Sequence, residues 1–469
     1  MSNITVIGAG YVGLVTATCF AELGHRVKVL EIDPEKVSIL EQGIMPVHEP
    51  ELSELWQRNL AGGRLRLTGE YAVGLKDSEF AFIAVGTPST SNGKPDLKWV
   101  RSAAKGIAST ANNDQMIVVI KSTVPVGTAD LVAGILARHS QNNHCHPVVS
   151  NPEFLREGLA VFDFMHPSRV VIGAPAPDVA QTVAKLYESL DAPIVICDSR
   201  TAEMSKYASN VFLATRVSFI NEIARLCDNC AVDVVQVARI VGMDPRCGQS
   251  FLSAGLGWGG SCLPKDVRGL LHMAKNHGVS LPILRAVQQV NLRQPRLVVE
   301  KLQRLLGPLE GRTIGIMGLS FKPDSDDMRE ASSLSVIAIL QEQGCKVKAY
   351  DPKAMKSAAR LLSGVTYCRD GYEVAAGSDA LILVTEWNEF KELDFPQLRS
   401  LMKHPVLLDG RNFYDPEAMI QAGFIYEGIG RGVGLEPAET ATDRGRKREL
   451  QPALSNPVAS SMNSFGEGA

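Results

Sequence analysis

Residues 4–33 read ITVIGAGYVGLVTATCFAELGHRVKVLEID. An apolar run, a glycine turn, an apolar-periodic stretch ending at Gly24 and a second apolar run predict strand, turn, helix and strand, the opening of a βαβ unit. Gly8, Gly10 and Gly13 make a G-x-G-x-x-G directly between the strand and the helix. Each glycine answers a separate physical need. Gly8 permits the turn, Gly10 lets backbone amides approach a pyrophosphate, and Gly13 lets helix and strand pack closely. Glu31 closes the second strand, where a carboxylate accepts hydrogen bonds from an adenosine ribose and repels the extra phosphate of NADP. The stretch therefore reads as an NAD site, with Glu31 as the ribose partner. Asp33 competes for that role but falls at the strand's end or beyond.

The pattern returns at residues 313–352, TIGIMGLSFKPDSDDMREASSLSVIAILQEQGCKVKAYDP. Gly318 takes the place of Gly8, and Asp351 closes the second strand as Glu31 does. Ser320 and Pro323 stand where Gly10 and Gly13 stood, so this turn is a poor second dinucleotide site. Phe321 and Lys322 suit a different phosphate-bearing ligand. The fold class is α/β, two doubly wound domains joined by a helical connector. The expected boundaries are 1–200, 201–306 for the connector and 307–433. Pro295 is expected to kink or break a connector helix. The polar, aromatic-poor stretch 434–469 reads as a disordered tail.

With 469 residues, 45% of them apolar, the chain can bury a substantial core. A formal charge of −3 gives no electrostatic footprint for nucleic acid or an anionic membrane. No apolar run reaches the ~20 residues that span a bilayer, and no signal peptide precedes the first strand, so a cytoplasmic location is expected. Nine cysteines lie scattered without framework spacing, which argues against a disulfide scaffold. Cys227 and Cys230 form a C-x-x-C, and His144, Cys145 and His146 adjoin, but neither cluster has a second half at zinc spacing. No metal is expected.

Eight motifs follow in order: GAGYVG (8–13), VGTP (85–88), KSTVPVGT (121–128), SNPEFLREG (150–158), KYASN (206–210), GGSCLPKD (259–266), FKPDSDDMRE (321–330) and DGRN (409–412). Together they resemble the nucleotide-sugar 6-dehydrogenases, over about residues 1 to 433. The resemblance implies two Rossmann-like domains around a helical segment that carries a homodimer interface. It also implies a four-electron oxidation of a sugar C6 alcohol to a carboxylate, consuming two NAD. Two positions depart from the family pattern, Glu31 where an Asp is usual and Leu263 where a Phe is usual.

Such an oxidation needs the intermediate aldehyde held in a form that can lose a second hydride. A thiol adding to it makes a thiohemiacetal, whose oxidation leaves a thioester for water to hydrolyse. A lone cysteine is usually a small core hydrophobe, but in this context Cys262 is the expected nucleophile. It stands ahead of a helix whose first turn suits Pro264, and the helix's positive end is expected to favour the thiolate. Lys206 and Asn210, four apart, share a helix face. By resemblance they stabilise the developing oxyanion, Asp266 handles protons, and Glu153 with Thr123 positions or activates water.

The resemblance also assigns Tyr11, Val12, Lys36, Thr87 and Lys265 to the cofactor, together with Thr123 and Arg329, and Glu157 to both cofactor and substrate. Phe154, Leu155, Phe251, Leu252, Gly259, Lys322 and Arg411 go to the nucleotide sugar, beside Lys206 and Asn210. Arg246 is expected to reach the substrate across the dimer interface. TEWNEF (385–390), GMDPRCG (242–248) and DGRN lean toward UDP-glucose as substrate. GDP-mannose and UDP-N-acetylmannosamine are the alternatives within the same chemistry. A two-electron hydroxyacid dehydrogenase would need no cysteine, and a nucleotide sensor would make no NADH.

Overall fold

The computed structural model describes residues 1–111, 115–140 and 146–432. The expected tail, 434–469, and the His144 and Cys145 pair lie outside them. The first half is an eight-stranded sheet: β1 (Asn3–Ile7), β2 (Arg26–Leu30), β3 (Leu65–Thr68), β4 (Phe80–Ile83), β5 (Ile117–Ile120), β6 (Val148–Ser150), β7 (Val170–Gly173) and β8 (Ile194–Cys197). The order is β3-β2-β1-β4-β5-β6-β7-β8, parallel except where β6 meets β7. The chain reverses its direction of winding between β1 and β4, and at such a switch point a crevice opens past the carboxyl ends of the strands. Helix Tyr11–Glu22 is apolar nearly all round, and Gly13 to Ala21 are all buried. It is enclosed by the sheet and by helices Leu52–Ala61 and Ala160–Met165, which is why it carries no polar stripe.

The second half repeats the plan with six parallel strands, β9 (Thr313–Met317), β10 (Lys346–Tyr350), β11 (Val365–Tyr367), β12 (Ala380–Leu383), β13 (Val406–Asp409) and β14 (Ile425–Gly428). Their order, β11-β10-β9-β12-β13-β14, puts the same switch point between β9 and β12.

The connector consists of helices Ser199–Cys230, Val234–Met243, Leu263–Asn276 and Pro282–Leu306. The first runs for 32 residues, about 48 Å. Its N-terminus is capped by Asp198, which accepts from Thr201 N at 3.0 Å. Of the kink or break expected at Pro295, the break does not occur: the helix continues through it from Pro282 to Leu306. Pro295 is buried there, and the helix packs against the 32-residue helix and helix Ser332–Glu342. Tertiary packing outweighs the lost backbone bond. Among the described residues no helix is long and apolar enough to cross a membrane.

Candidate active site

The first switch point builds a groove in two lobes. Gly8 adopts φ 104°, and a Cβ on Gly13 would lie 1.9 Å from the Gly8 carbonyl oxygen, so both glycines are sterically required. Gly10 is the N-cap of the following helix and carries no side chain to shield its amides. The outer lobe, about 610 Å³, is lined by Gly8, Gly10, Glu31, Lys36, Tyr71 and Trp99 among others. Glu31 accepts from Ala9 N at 2.8 Å and Asp33 N at 3.0 Å, with Lys36 Nζ at 3.9 Å. Two backbone donors leave a carboxylate spare lone pairs. Asp33 caps helix Pro34–Glu41, accepting from Glu35 N. The groove continues through Gly10, Val85 and Gly86 into an inner lobe of about 520 Å³. Tyr11, Val12, Thr87, Thr123, Lys265 and Arg329 line it, and Glu153, Glu157 and Cys262 lie at its end.

Cys262 is the N-cap of helix Leu263–Asn276, with Pro264 in the first turn as its sequence demands. Lys206 and Asn210 project from one face of the 32-residue helix. Lys206 Nζ lies 3.0 Å from Glu153 Oε1 and 3.5 Å from Asn210 Oδ1, and Asn210 Nδ2 donates to Asp266 Oδ2 at 2.6 Å. Asp266 also pairs with Lys265. Glu153, Lys206, Asn210 and Asp266 are all buried. Burial opposes the charges of Lys206 and Glu153, but their mutual attraction prevails: the ammonium is pushed up and the carboxyl down.

The expectation of a resting thiolate at Cys262 is corrected. Burial, reinforced by the negative Glu153 and Asp266, pushes its pKa up to about 11, with Lys206 pulling the other way. The helix end does not overcome desolvation beside two carboxylates. Ser261 Oγ lies 3.4 Å from Cys262 Sγ and donates to Glu157 Oε1 at 2.7 Å.

The bareness of the GGSC loop has its cause in the second half of the molecule. A Cβ on Gly259 would stand 2.2 Å from the Glu330 carbonyl oxygen, and one on Gly260 would stand 2.7 Å from the Phe321 ring. The same segment packs Asp324 against Gly158, and Lys322 Nζ donates to the Glu157 carbonyl. Arg329 pairs with Asp327 at 2.7 Å and reaches Glu157 at 3.5 Å.

On the other side of Leu155 a cavity of about 630 Å³ opens, lined by Lys121, Phe154, Arg169, Asn210 and Phe251 among others. Arg169 stacks on the Phe154 ring at 3.8 Å. Phe251 holds φ 62°, a conformation that bulky side chains adopt only under constraint. The loop from Phe251 to Trp258 is tied down by side-chain amides: Asn221 accepts from Gly255 N, Gln294 donates to Gly255 O, and Asn291 bonds both N and O of Trp258.

Several expected ligand residues do not line these cavities, Gly259 and Lys322 among them. The Leu252 side chain is buried in the second half's core, so only its backbone faces the loop. Arg411 donates to the carbonyls of Val384 and Gly257 and pairs with Glu386 at 3.3 Å. Arg246 is exposed and paired with Asp244 at 2.6 Å, and it lines neither cavity of its own chain.

Sequence reading missed two residues. Glu49 is buried and bonds the end of the SNPEFLREG loop. Lys121 is buried under Asn151 (3.1 Å) and Tyr187 (3.4 Å), and burial pushes its pKa down to about 8. Its place in KSTVPVGT was visible, but its burial was not. Among the described residues no group of three or more His, Cys, Asp or Glu is placed to hold a metal ion.

This geometry, an NAD-type groove meeting a cysteine, a lysine and paired carboxylates at a two-domain junction, defines a cysteine-equipped dehydrogenase. The chain belongs to the UDP-glucose/GDP-mannose dehydrogenase family: the family's NAD binding domain matches residues 2–191, its central domain 200–293 and its UDP binding domain 315–416. It is similar to UDP-glucose 6-dehydrogenase TuaD of Bacillus subtilis, 43% identical over 94% of this chain and 96% of that one. It is similar also to a UDP-glucose 6-dehydrogenase of Pseudomonas aeruginosa, 46% identical over 92% and 97%. A UDP-glucose dehydrogenase structure from Pyrobaculum islandicum superposes with a TM-score of 0.85 at 39% identity, covering 92% of this chain and 98% of that one.

Proposed function

We propose that the protein oxidises UDP-glucose to UDP-glucuronate with two NAD, through a covalent adduct on Cys262. The carrying observation is that Cys262 lines the inner lobe of a groove that runs back to Glu31, while Leu155 separates that lobe from a second cavity lined by Asn210 and Phe251. The near relatives, named for UDP-glucose, support the choice of sugar.

Gly8 to Gly13 and Glu31 hold the cofactor, with Lys36, Thr87, Thr123, Lys265 and Arg329 along the groove. NAD, when held there, would supply the hydride acceptor that both oxidations at C6 require. Lys206 and Asn210 hold the C6 oxygen as its charge develops, a role in which preorganised donors are worth ~3 to 4 kcal/mol. Cys262 Sγ bonds to the aldehyde carbon, and the thiol proton passes to the aldehyde oxygen within the Lys206 and Asp266 network. After the second oxidation the adduct is a thioester. Glu153, with Thr123, orients the water that cleaves it, releasing the carboxylate and restoring the thiol. Phe154, Leu155, Phe251, Gly259, Lys322 and the backbone at Leu252 bind the nucleotide sugar, with Arg411 behind the loop.

The active form is a homodimer acting in the cytoplasm. Phe212, Phe219 and Leu226 recur every seven residues along the 32-residue helix, and all are exposed, as are Ile240 and Met243. An apolar stripe of this kind marks an association surface. Arg246, idle in its own chain, then serves the partner's site. The described cysteines are all unpaired, which suits a reducing compartment.

The test is a count of NADH from limiting UDP-glucose with excess NAD, with Cys262→Ser run beside the wild type. Two NADH per sugar, with the serine variant blocked or stalled, is expected. One NADH in both proteins would return the chain to a simple alcohol dehydrogenase, and turnover of GDP-mannose alone would change the sugar. Sedimentation tests the dimer, which a fully active monomer would remove.

A further inference from the structure

Glu49 lies in MPVHEPEL, residues 45–52, apart from every motif used above, and is 6% exposed. Its Oε1 accepts from Ala160 N at 2.6 Å and Val161 N at 3.2 Å, and its Oε2 from Gly158 N at 2.7 Å and from the Tyr11 hydroxyl. The Tyr11 oxygen lies 2.8 Å from Gly158 N as well. A carboxylate offers about four lone-pair sites, so these four donors fill it. Burial raises the Glu49 pKa, and the three backbone donors and Lys322 act against the rise.

The donors come from two working parts of the molecule. Tyr11 follows Gly10 in the glycine turn and lines the inner lobe of the groove. Gly158 to Val161 close the loop that carries Glu153, Phe154, Leu155 and Glu157. Glu153 and Glu157 of that loop are held by Lys206, Ser261 and Lys322, and within the loop Leu155 N bonds back to Glu153 Oε2 at 2.6 Å and Arg156 bonds Asp163. The loop's far end is fixed by a side chain more than a hundred residues away in sequence.

We propose that Glu49, together with Tyr11, is a positioning residue that locks the glycine turn to the substrate loop, so that the cofactor and the sugar nucleotide share one preorganised frame. A shift of the glycine turn is transmitted through the Tyr11 hydroxyl to Gly158 and from there to Glu157 and Leu155, which both ligands adjoin. The inference rests on the function proposed above.

The test uses the full chain as Tyr11→Phe, Glu49→Gln and the double variant, with KM and kcat measured for NAD and UDP-glucose and binding of each by calorimetry. Glu49→Gln keeps the size of the side chain but turns amide hydrogens toward backbone donors. It is expected to lower kcat/KM for UDP-glucose roughly tenfold or more and to raise the KM for NAD. Tyr11→Phe raises both KM values by less, and the double variant is no worse than Glu49→Gln, because Tyr11 acts through Glu49. A folded Glu49→Gln enzyme with wild-type KM values, or losses that add in the double variant, would overturn the proposal. If Glu49→Gln fails to fold, Tyr11→Phe decides: a rise in the KM for NAD with no change for UDP-glucose refutes the lock. A wild type that binds neither ligand refutes the function and the lock together, whereas an active wild type matched by its variants refutes the lock alone.

Discussion

After β1 the chain takes three residues, Gly8 to Gly10, to enter its helix, whereas after β9 it takes fourteen, Gly318 to Ala331. The carboxylates that close the second strands diverge to match. Glu31 receives two backbone donors and lines a cavity. Asp351 is fully buried and receives six donors: the amides of Leu319, Ser320, Lys353 and Ala354, the Ser320 hydroxyl and the Trp387 indole. The first acid keeps its capacity for a ligand and the second commits all of it to the fold. The longer turn does not cradle a dinucleotide of its own. It crosses to the connector and presses Phe321 and Glu330 onto Gly260 and Gly259. A duplicated architecture thus yields one site and one wall, because site chemistry resides in loops and not in the sheet.

The largest effect should come from the saturated acid. Asp351→Asn turns amide hydrogens toward backbone donors and is expected to cost about 3 kcal/mol or more, read as a lower urea midpoint, while leaving the KM for NAD unchanged in the folded fraction. A loss under about 1 kcal/mol would mean that Asp351 is no more structural than Glu31. Next comes the wall itself. Gly259→Ala would drive a methyl group into the Glu330 carbonyl, and the loop bearing Cys262 must move. A displacement near 1 Å costs on the order of a hundredfold in kcat. Near-native turnover would show that the wall yields.

Closing the wall over Cys262 is also what the thiol should report. With a pKa of about 11, its alkylation rate in the ligand-free protein should climb with pH through about 11. At pH 8 it should run roughly a hundredfold slower than that of an ordinary thiol of pKa ~8.5. Glu153→Gln removes a neighbouring negative charge and should move the midpoint down. A wild-type midpoint near 7 would restore the resting thiolate that the helix end alone suggests.

The βαβ halves were legible because their signals are local: glycines at fixed offsets, apolar runs, and an acid closing each second strand. Cys262 ahead of Pro264 was legible for the same reason, since a cap and a first turn occupy adjacent residues. Glu49 was not, because its four donors come from Tyr11 and from residues 158 to 161, and no period links these. The GGSC glycines were visible as bare, but the obstacle that demands bareness, at Phe321 and Glu330, lies in the other half of the chain. At Pro295 local propensity left a break open, and packing on two helices, which no local signal carries, excludes it. The resting state of Cys262 misled because a helix end is visible in sequence and two buried carboxylates beside it are not.

The smallest effects separate the two acids of the first half. Ala9 N and Asp33 N bond different oxygens of Glu31, so Glu31→Gln keeps one of these bonds, turns amide hydrogens toward the other donor and removes the charge. It should weaken NAD roughly tenfold and cost about 1 kcal/mol of stability. Asp33→Ala should leave NAD binding alone. Asp33 is two residues on, and its side chain is committed to Glu35 N at 3.0 Å as a helix cap. Its removal should therefore cost about 1 kcal/mol of stability and leave the KM for NAD where it was, because the Asp33 amide that orients Glu31 survives the substitution. If Asp33→Ala instead weakens NAD as much as Glu31→Gln does, the ribose contact belongs to the loop after β2 and not to its last carboxylate. The contrast with Asp351 would then have been drawn at the wrong residue.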